Sequence, residues 1–327
     1  MRRTILFVVI MLASMQAIVS AQYVQWAVRP AYSSMEQIGD NIYKVSKNGK
    51  TGVVNAYGTE VVPVDADEIT PFYQGCALVL QNMGGKKLVK GILTANGTYS
   101  KMGKECYTIQ GLEFCSEGFL TVEFAGGKKG FMHIDGSVAK EYGKVNLLPF
   151  SEGYAVVVGS GKGNCQLVNQ NFEDVSRRIR LNAAVPCGFY SVYRGSTWLY
   201  DDKAIYYTLN PETGETNKVG KKKLNVDYMG CAETGRPKTV PYDSEWRGTP
   251  SATVKSKQDG NGKYGYQSNG KSIIPGQFDY AGSFYGNYAI VSVNNSYGLI
   301  SLGNDNSGFS ATATNKNIKY KKSNSTS

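Results

Sequence analysis

Gly52-Val53-Val54-Asn55-Ala56-Tyr57-Gly58 returns as Gly91-Ile92-Leu93-Thr94-Ala95-Asn96-Gly97 and again as Gly130-Phe131-Met132-His133-Ile134-Asp135-Gly136. Each copy is a glycine, two or three apolar residues and a polar turn closed by a second glycine; the leading glycines stand 39 residues apart. A second phrase alternates with it, an aromatic, two residues and a glycine that opens a strand-like run. It reads Phe72-Tyr73-Gln74-Gly75 and Phe150-Ser151-Glu152-Gly153-Tyr154-Ala155-Val156-Val157. Its glycines, Gly75, Gly118, Gly153 and Gly188, are 43, 35 and 35 residues apart. A period of this size means an array of equivalent supersecondary units, so the fold is argued unit by unit.

Within a unit, short apolar runs alternate with glycine-bearing turns. Tyr43-Lys44-Val45, Thr51-Gly52-Val53-Val54, Glu60-Val61-Val62-Pro63 and Cys76-Ala77-Leu78-Val79 are such runs. Asn48-Gly49 and Tyr57-Gly58 lie between them and supply residues that tolerate positive φ. No segment carries a helical period with a cap at each end. The pattern resumes at Lys263-Tyr264-Gly265-Tyr266, Ile273-Ile274-Pro275, Phe278-Asp279-Tyr280 and Phe284 to Val291, with a last half-unit at Ser296 to Ile300. The expected fold is all-β, a repeat array of short antiparallel strands and hairpins, either an open β-solenoid or a propeller-like ring.

These residues resemble the WG-repeat family, also called KWG repeats, of bacterial envelope and exported proteins. Asn48-Gly49-Lys50-Thr51-Gly52-Val53-Val54 and Asn261-Gly262-Lys263-Tyr264-Gly265-Tyr266 carry the likeness best. Ile273-Ile274-Pro275-Gly276-Gln277-Phe278-Asp279 is similar to the family's second strand and turn, and Phe284-Tyr285-Gly286-Asn287-Tyr288-Ala289 to its closing strand. The resemblance spans residues 38–192 and 258–302. It departs at the signature tryptophan, where Thr51, Lys90, Lys129, Tyr264 and Tyr297 precede glycine instead. The resemblance implies a β-rich repeat and no catalytic residues.

The chain opens with Arg2 and Arg3, an apolar run from Ile5 through Val19 broken by Ser14 and Gln16, and the small-residue site Val19-Ser20-Ala21. That is the pattern of a cleaved signal peptide, residues 1–21. The expected destination is the periplasm, the cell surface or the exterior, with no membrane insertion after cleavage. Residues 22–37 read as a lead-in, 38–192 and 258–302 as repeats, and 193–257 as a diverged repeat with a basic insertion. Residues 303–327, rich in Asn, Ser, Thr and Lys, read as a disordered tail.

The formal charge of +10 falls to about +8 once Arg2 and Arg3 leave with the leader. The excess lies in Lys218 to Lys223, Lys255 to Lys263 and Lys316 to Lys322. An exported chain rarely meets nucleic acid, so the charge suits acidic glycans or acidic proteins, or simply a soluble surface. Six cysteines invite a disulfide framework. Yet Cys76 and Cys115 take slots that Phe119, Tyr154, Phe72 and Phe150 fill elsewhere, where a thiol acts as a small hydrophobe. Cys106 and Cys115 are close enough to be joined across one hairpin. No CxxC occurs and the chain has a single histidine, so neither a metal nor another cofactor is expected.

Candidate chemistry is thin. His133 is the one residue that could serve a nucleophile as base, and its place on a repeat strand favours an outward-facing side chain. Asp65, Asp67 and Glu68 cluster in a bend, where carboxylates solvate the turn, and Asp201-Asp202 reads the same way. Asn210-Pro211-Glu212-Thr213-Gly214 is a Pro/Gly turn, and Gly159 to Gly163 a hairpin loop rather than a phosphate loop. What remains is a set of aromatics in the irregular stretch: Trp198, Tyr200, Tyr206, Tyr207, Tyr242 and Trp246. Flat faces beside polar groups suit sugar rings or protein contacts, although a place in the core of a diverged repeat is the plainer reading. The expected function is an exported non-enzymatic module that binds or scaffolds a protein or glycan partner in the cell envelope. The alternative is a glycan-processing hydrolase with its site in 193–257.

Overall fold

Asn48 and Gly49 turn the chain with φ of 53° and 74°, and the strands on either side, Ile42–Lys47 and Lys50–Asn55, pair antiparallel from Lys47↔Lys50 outward to Ile42↔Asn55. The same construction recurs along the computed structural model. It describes residues 24–159, 165–175, 185–186, 190–200, 203, 205–221, 226–227, 230–231 and 240–302. Every strand pairing among these residues is antiparallel, and the one helical element is a single 3-10 turn at Ala125–Gly127. The protein is all-β, built of multiple antiparallel sheets. The leader and the 303–327 tail lie outside the described residues.

A unit contains a short strand, a two-residue turn, a long strand, a second hairpin and an outer strand. Glu68–Ile69, Cys76–Met83, Lys86–Thr94 and Tyr99–Lys101 form one. Val145–Leu147, Tyr154–Gly159 and Cys165–Asn169 follow the same plan, as do Val185–Pro186, Thr197–Tyr200, Ile205–Leu209 and Thr216–Lys221. The final sheet is made differently. Tyr280–Ala281, Tyr288–Val293 and Ser296–Leu302 are completed by Val24–Tyr32 from the other end of the chain, with Val24 opposite Leu302 and Trp26 opposite Ile300. The lead-in is therefore a strand of the last sheet. This joins the two ends of the array, as in a propeller-like ring and unlike an open solenoid, whose first and last strands lie at opposite ends.

The leading glycine of the repeat has a physical cause that is not turn geometry. A Cβ on Gly130 would lie 2.2 Å from the Lys140 carbonyl oxygen, and on Gly265 2.2 Å from that of Ile274. For Gly52, Gly91 and Gly298 the carbonyls of Val62, Ser100 and Val28 stand at 2.7, 2.5 and 2.6 Å. At four of the five the ladder to that outer strand also shifts register: between Thr51 and Val53, Phe131 and Met132, Tyr264 and Tyr266, and at Val28 opposite Leu299. A bulge brings the outer backbone across the strand, and only glycine leaves room for it.

Cores form between successive units. Val53, Val62 and Ala66 meet Val79 and Leu93 of the next unit. Leu78, Leu80 and Ile92 meet Leu120, Val122 and Phe124. Phe119, Phe131, Phe150 and Phe172 then form an aromatic knot with ring centroids 4.6 to 6.5 Å apart. Val28, Met35, Tyr43 and Leu299 close the join between the chain ends. Each fully buried aliphatic or aromatic side chain contributes about 1.5–3 kcal/mol, so contacts between neighbouring units carry much of the stability.

Cys76 and Cys115 are the small buried hydrophobes expected from their repeat slots, and the outward place expected for His133 is corrected. No disulfide joins Cys106 to Cys115; both are buried free thiols, as are Cys76 and Cys165. The thiols that face each other are Cys76 and Cys115, across two units. Cys106 instead pairs with Phe124 across its hairpin, on a strand separate from Cys115. Nor does His133 face solvent: it is half-buried, its ring 5.1 Å from that of Phe119, its direct partner on the neighbouring strand of the same hairpin.

Candidate functional site

The aromatic-x-x-Gly phrases at Gly75 and Gly153, and the stretch ending in Gly118, become two-residue turns with positive φ at both positions, and the fourth such turn falls at Gly195 rather than at Gly188, which lies outside the described residues. These are Gln74 and Gly75 (48° and 75°), Glu117 and Gly118 (51° and 86°), Glu152 and Gly153 (51° and 85°), and Arg194 and Gly195 (52° and 71°). This is the tight hairpin that fits strand twist. It also aims successive backbone N–H groups the same way, which makes a small anion-accepting concavity.

The concavities at Glu117–Gly118, Glu152–Gly153 and Arg194–Gly195 are each filled by the side chain at the tip of the unit before. Glu117 N–H donates to Gln74 Oε1 at 2.8 Å, and Gly153 N–H to Glu117 Oε2 at 3.0 Å. Arg194 and Gly195 N–H donate to the two Glu152 oxygens at 2.7 and 2.8 Å. Beneath the tips, buried serines continue the clasp. Ser116 Oγ donates to the Phe150 carbonyl at 2.6 Å, Ser191 Oγ to that of Pro149 at 2.7 Å, and Val192 N–H to Ser151 Oγ at 2.8 Å. The tips thus form one continuous polar rim, each joined to the next by hydrogen bonds with charged or amide acceptors.

Residues 240–251 lie along this rim as an extended strap. Val240 packs against the buried cluster of Tyr73, Leu112 and Phe114, as do Ile109 and Tyr190. Tyr73 and Tyr190 share a hydroxyl hydrogen bond; burial first, and that bond second, push the Tyr190 phenol up. Asp243 N–H donates to the Phe72 carbonyl at 2.8 Å, and its carboxylate accepts Gln74 and Gly75 N–H at 3.0 and 2.8 Å. Trp246 Nε1 donates to Asp40 Oδ1 at 3.1 Å, and its ring stands edge-on to Tyr285 at 5.1 Å. Ser251 N–H then donates to the Phe284 carbonyl at 2.8 Å, and the chain enters Val254–Gln258.

The six aromatics singled out from sequence divide in two. Tyr242 and Trp246 are both on the strap. Tyr242 is 40% exposed, and its phenol is pushed up by partial burial and then by Glu113 and Glu68. Trp198, Tyr206 and Tyr207 belong to the hairpin of Thr197–Tyr200 and Ile205–Leu209. Tyr206 is 1% exposed, so its ring offers no face to a ligand, and Tyr207 packs against the core of that unit. Trp198 is half-buried opposite Thr208. The Tyr200 side chain lies outside the described residues, as do Asp201, Asp202, Cys187 and the Cys231 side chain. Sequence reasoning missed Gln74, Glu117, Glu152 and Asp243. The recurring x-Gly pair at the turns was the signal for the first three.

The acidic cluster is fully engaged by lysines. Lys90 pairs with Asp65 at 2.6 Å, Lys50 with Asp67 at 2.5 Å and Lys87 with Glu68 at 2.8 Å. The Lys50 ammonium, with the Asn82 N–H, holds the Asp67 carboxyl below the usual range, the reverse of what a general acid needs. Asn210 accepts the Glu212 and Thr213 N–H groups on its side chain, which makes residues 210–214 a turn. Among the described residues, no group of three or more His, Cys, Asp or Glu is placed to hold a metal, and no helix is long and apolar enough to cross a membrane.

Among solved structures, the chain is similar to virginiamycin B lyase from Staphylococcus aureus (14% identity, TM-score 0.33, covering 84% of this chain and 95% of that one). It is also similar to the WD40 beta propeller domain of Doa1 (11%, 0.26, 86% and 97%) and to apo AztD from Citrobacter koseri (12%, 0.30, 81% and 68%). No curated protein matches it by sequence. Residues 266–297, from the Tyr264–Ser268 strand to the Ser296–Leu302 strand, match the family model described as WG containing repeat, and the chain is accordingly a protein with a WG repeat in its final units.

Proposed function

We propose that the protein is an exported, non-enzymatic module that binds or scaffolds a protein or acidic glycan partner in the cell envelope, with the rim of turn tips as its contact face. The observation that carries this reading is the rim itself: four successive turns whose backbone N–H groups, both at Gln74–Gly75 and Arg194–Gly195 and one each at Glu117 and Gly153, reach carboxylate or amide oxygens. A surface built to hold acidic groups suits an acidic partner, and the positive net charge would speed its approach. The signal-like leader favours export, and ion pairing of Asp65, Asp67 and Glu68 disfavours a hydrolytic carboxylate pair. The test is retention of envelope proteins and of acidic against neutral glycans on immobilised residues 22–327. Saturable, salt-sensitive retention of an acidic partner is the expected result. Turnover of cell-wall or capsular glycan, abolished by Asp65→Asn or Asp67→Asn, would overturn it in favour of the hydrolase.

A further inference from the structure

Along the rim, one rule decides what fills each turn: the tip side chain of the preceding unit. Gln74 serves the turn at 117, Glu117 the turn at 153, and Glu152 the turn at 194–195. By that rule Asp40, at the tip of the sheet Ser34–Ala66, should serve Gln74 and Gly75. It does not. Asp243 of the strap sits there with both carboxylate oxygens, while Asp40 accepts the Trp246 indole. One unit earlier the tip residue is Gly286, which has no side chain to offer, and there the strap lies against Tyr285. So the strap enters the rim where the rule breaks, and it supplies the acid from a segment 168 residues distant in sequence.

Everything the strap uses can come from a separate peptide: backbone groups, the apolar Val240 side chain, one carboxylate and one indole three residues after it. The pattern is that of a ligand held in cis. Resting on the reading of the rim as a binding face, we infer that Phe72 to Gly75, Asp40 and Phe284-Tyr285 form a recognition site for an extended peptide with an acidic residue three positions before a tryptophan, and that residues 240–251 occupy this site until such a partner displaces them. The Gln74–Gly75 turn takes the acid, Asp40 reads the indole N–H, and Tyr285 carries the ring. A tethered competitor at millimolar effective concentration lowers the apparent affinity for the partner by the fraction of time the site is open.

The test uses a labelled peptide of residues 240–251 added to residues 22–327, followed by fluorescence anisotropy. The Asp243→Ala/Trp246→Ala protein, with its own strap disabled, should bind the peptide at least tenfold tighter than the wild type. The same peptide carrying Asp243→Asn and Trp246→Ala should lose at least tenfold. Asp243→Asn/Trp246→Phe, a milder pair that keeps the ring and the volume, should show the same direction and guards against a folding defect in the first variant. Wild-type circular dichroism and melting with no peptide binding by either variant would overturn the inference and leave the strap a structural brace. Capture of an envelope partner unaffected by these variants would also overturn it while leaving the binding-module reading intact. Peptide binding without any envelope partner would support the site and sink that broader reading.

Discussion

Alanine at Gly130 places a methyl carbon 2.2 Å from the Lys140 carbonyl oxygen, 2.8 Å from Phe124 Cε2 and 3.2 Å from Glu141 Cα. An ordinary carbon–oxygen contact is about 3.3 Å, so roughly 1 Å of movement is required. The Lys140 carbonyl is backbone in the paired strand Val138–Glu141, and Phe124 is 2% exposed within a core cluster. Neither can swing aside. Overpacking costs about 1–3 kcal/mol, and a backbone obstacle puts this case near 3 kcal/mol. At about 2 °C per kcal/mol for a chain of this size, the melting temperature should fall by about 6 °C. Two other glycines calibrate the result. Gly49 has φ of 74° with nothing within 4 Å of a Cβ, so alanine there should cost about 1 kcal/mol of backbone strain alone. Gly143 has neither crowding nor positive φ, so alanine should be neutral or stabilising by about 0.5 kcal/mol. Urea unfolding of the three variants by circular dichroism should rank them in that order. If Gly130→Ala costs less than Gly49→Ala, the repeat glycines are turn residues and the crossing-strand explanation is wrong.

Ser191→Ala should destabilise by about 2–3 kcal/mol, because it strands the buried Val156 N–H and the Pro149 carbonyl, whereas the exposed Ser33→Ala should stay within about 0.5 kcal/mol; chemical denaturation compares them. Asp67 is held below the usual carboxylate range by Lys50, so its contribution is present above the unfolded value near 3.9 and lost as pH falls through the folded one. Melting temperatures of wild type and Asp67→Asn should differ at pH 5 and converge by about pH 2; parallel curves would refute the sign. Among the four described thiols, Cys106 and Cys165 are pushed up to about 12 by burial and should resist alkylation at pH 8 in the native state. Cys76, lowered by the facing Cys115 thiol, should react first, as mass spectrometry of timed quenches would show.

The strands were legible because glycine and asparagine punctuate them locally: Asn48-Gly49 carries its own turn wherever it is placed. The register of Gly52, Gly91 and Gly130 was legible too, but not its cause, since the obstructing carbonyl comes from a strand that no single-residue pattern identifies. Long-range contacts left no local signature. Val24 to Tyr32 read as a lead-in because nothing in those residues names Ser296–Leu302 as a partner. Residues 240–251 read as an irregular loop because Pro241, Pro250 and a lone tryptophan say only that no strand forms there. Their destination is written on Gln74, Gly75 and Asp40, far away in sequence. Tyr206 shows the converse limit: an aromatic in an irregular stretch gives no sign of which strand face it occupies, and this one faces the core.

The occupancy of the rim by the strap is most directly tested by backbone amide exchange at the Gln74–Gly75 turn. Wild-type protein should protect both amides, and Asp243→Ala should expose them while Arg194 and Gly195, held by Glu152, keep their protection. Equal exchange at Gln74 and Gly75 with and without the Asp243 carboxylate would contradict the strap's place on the rim.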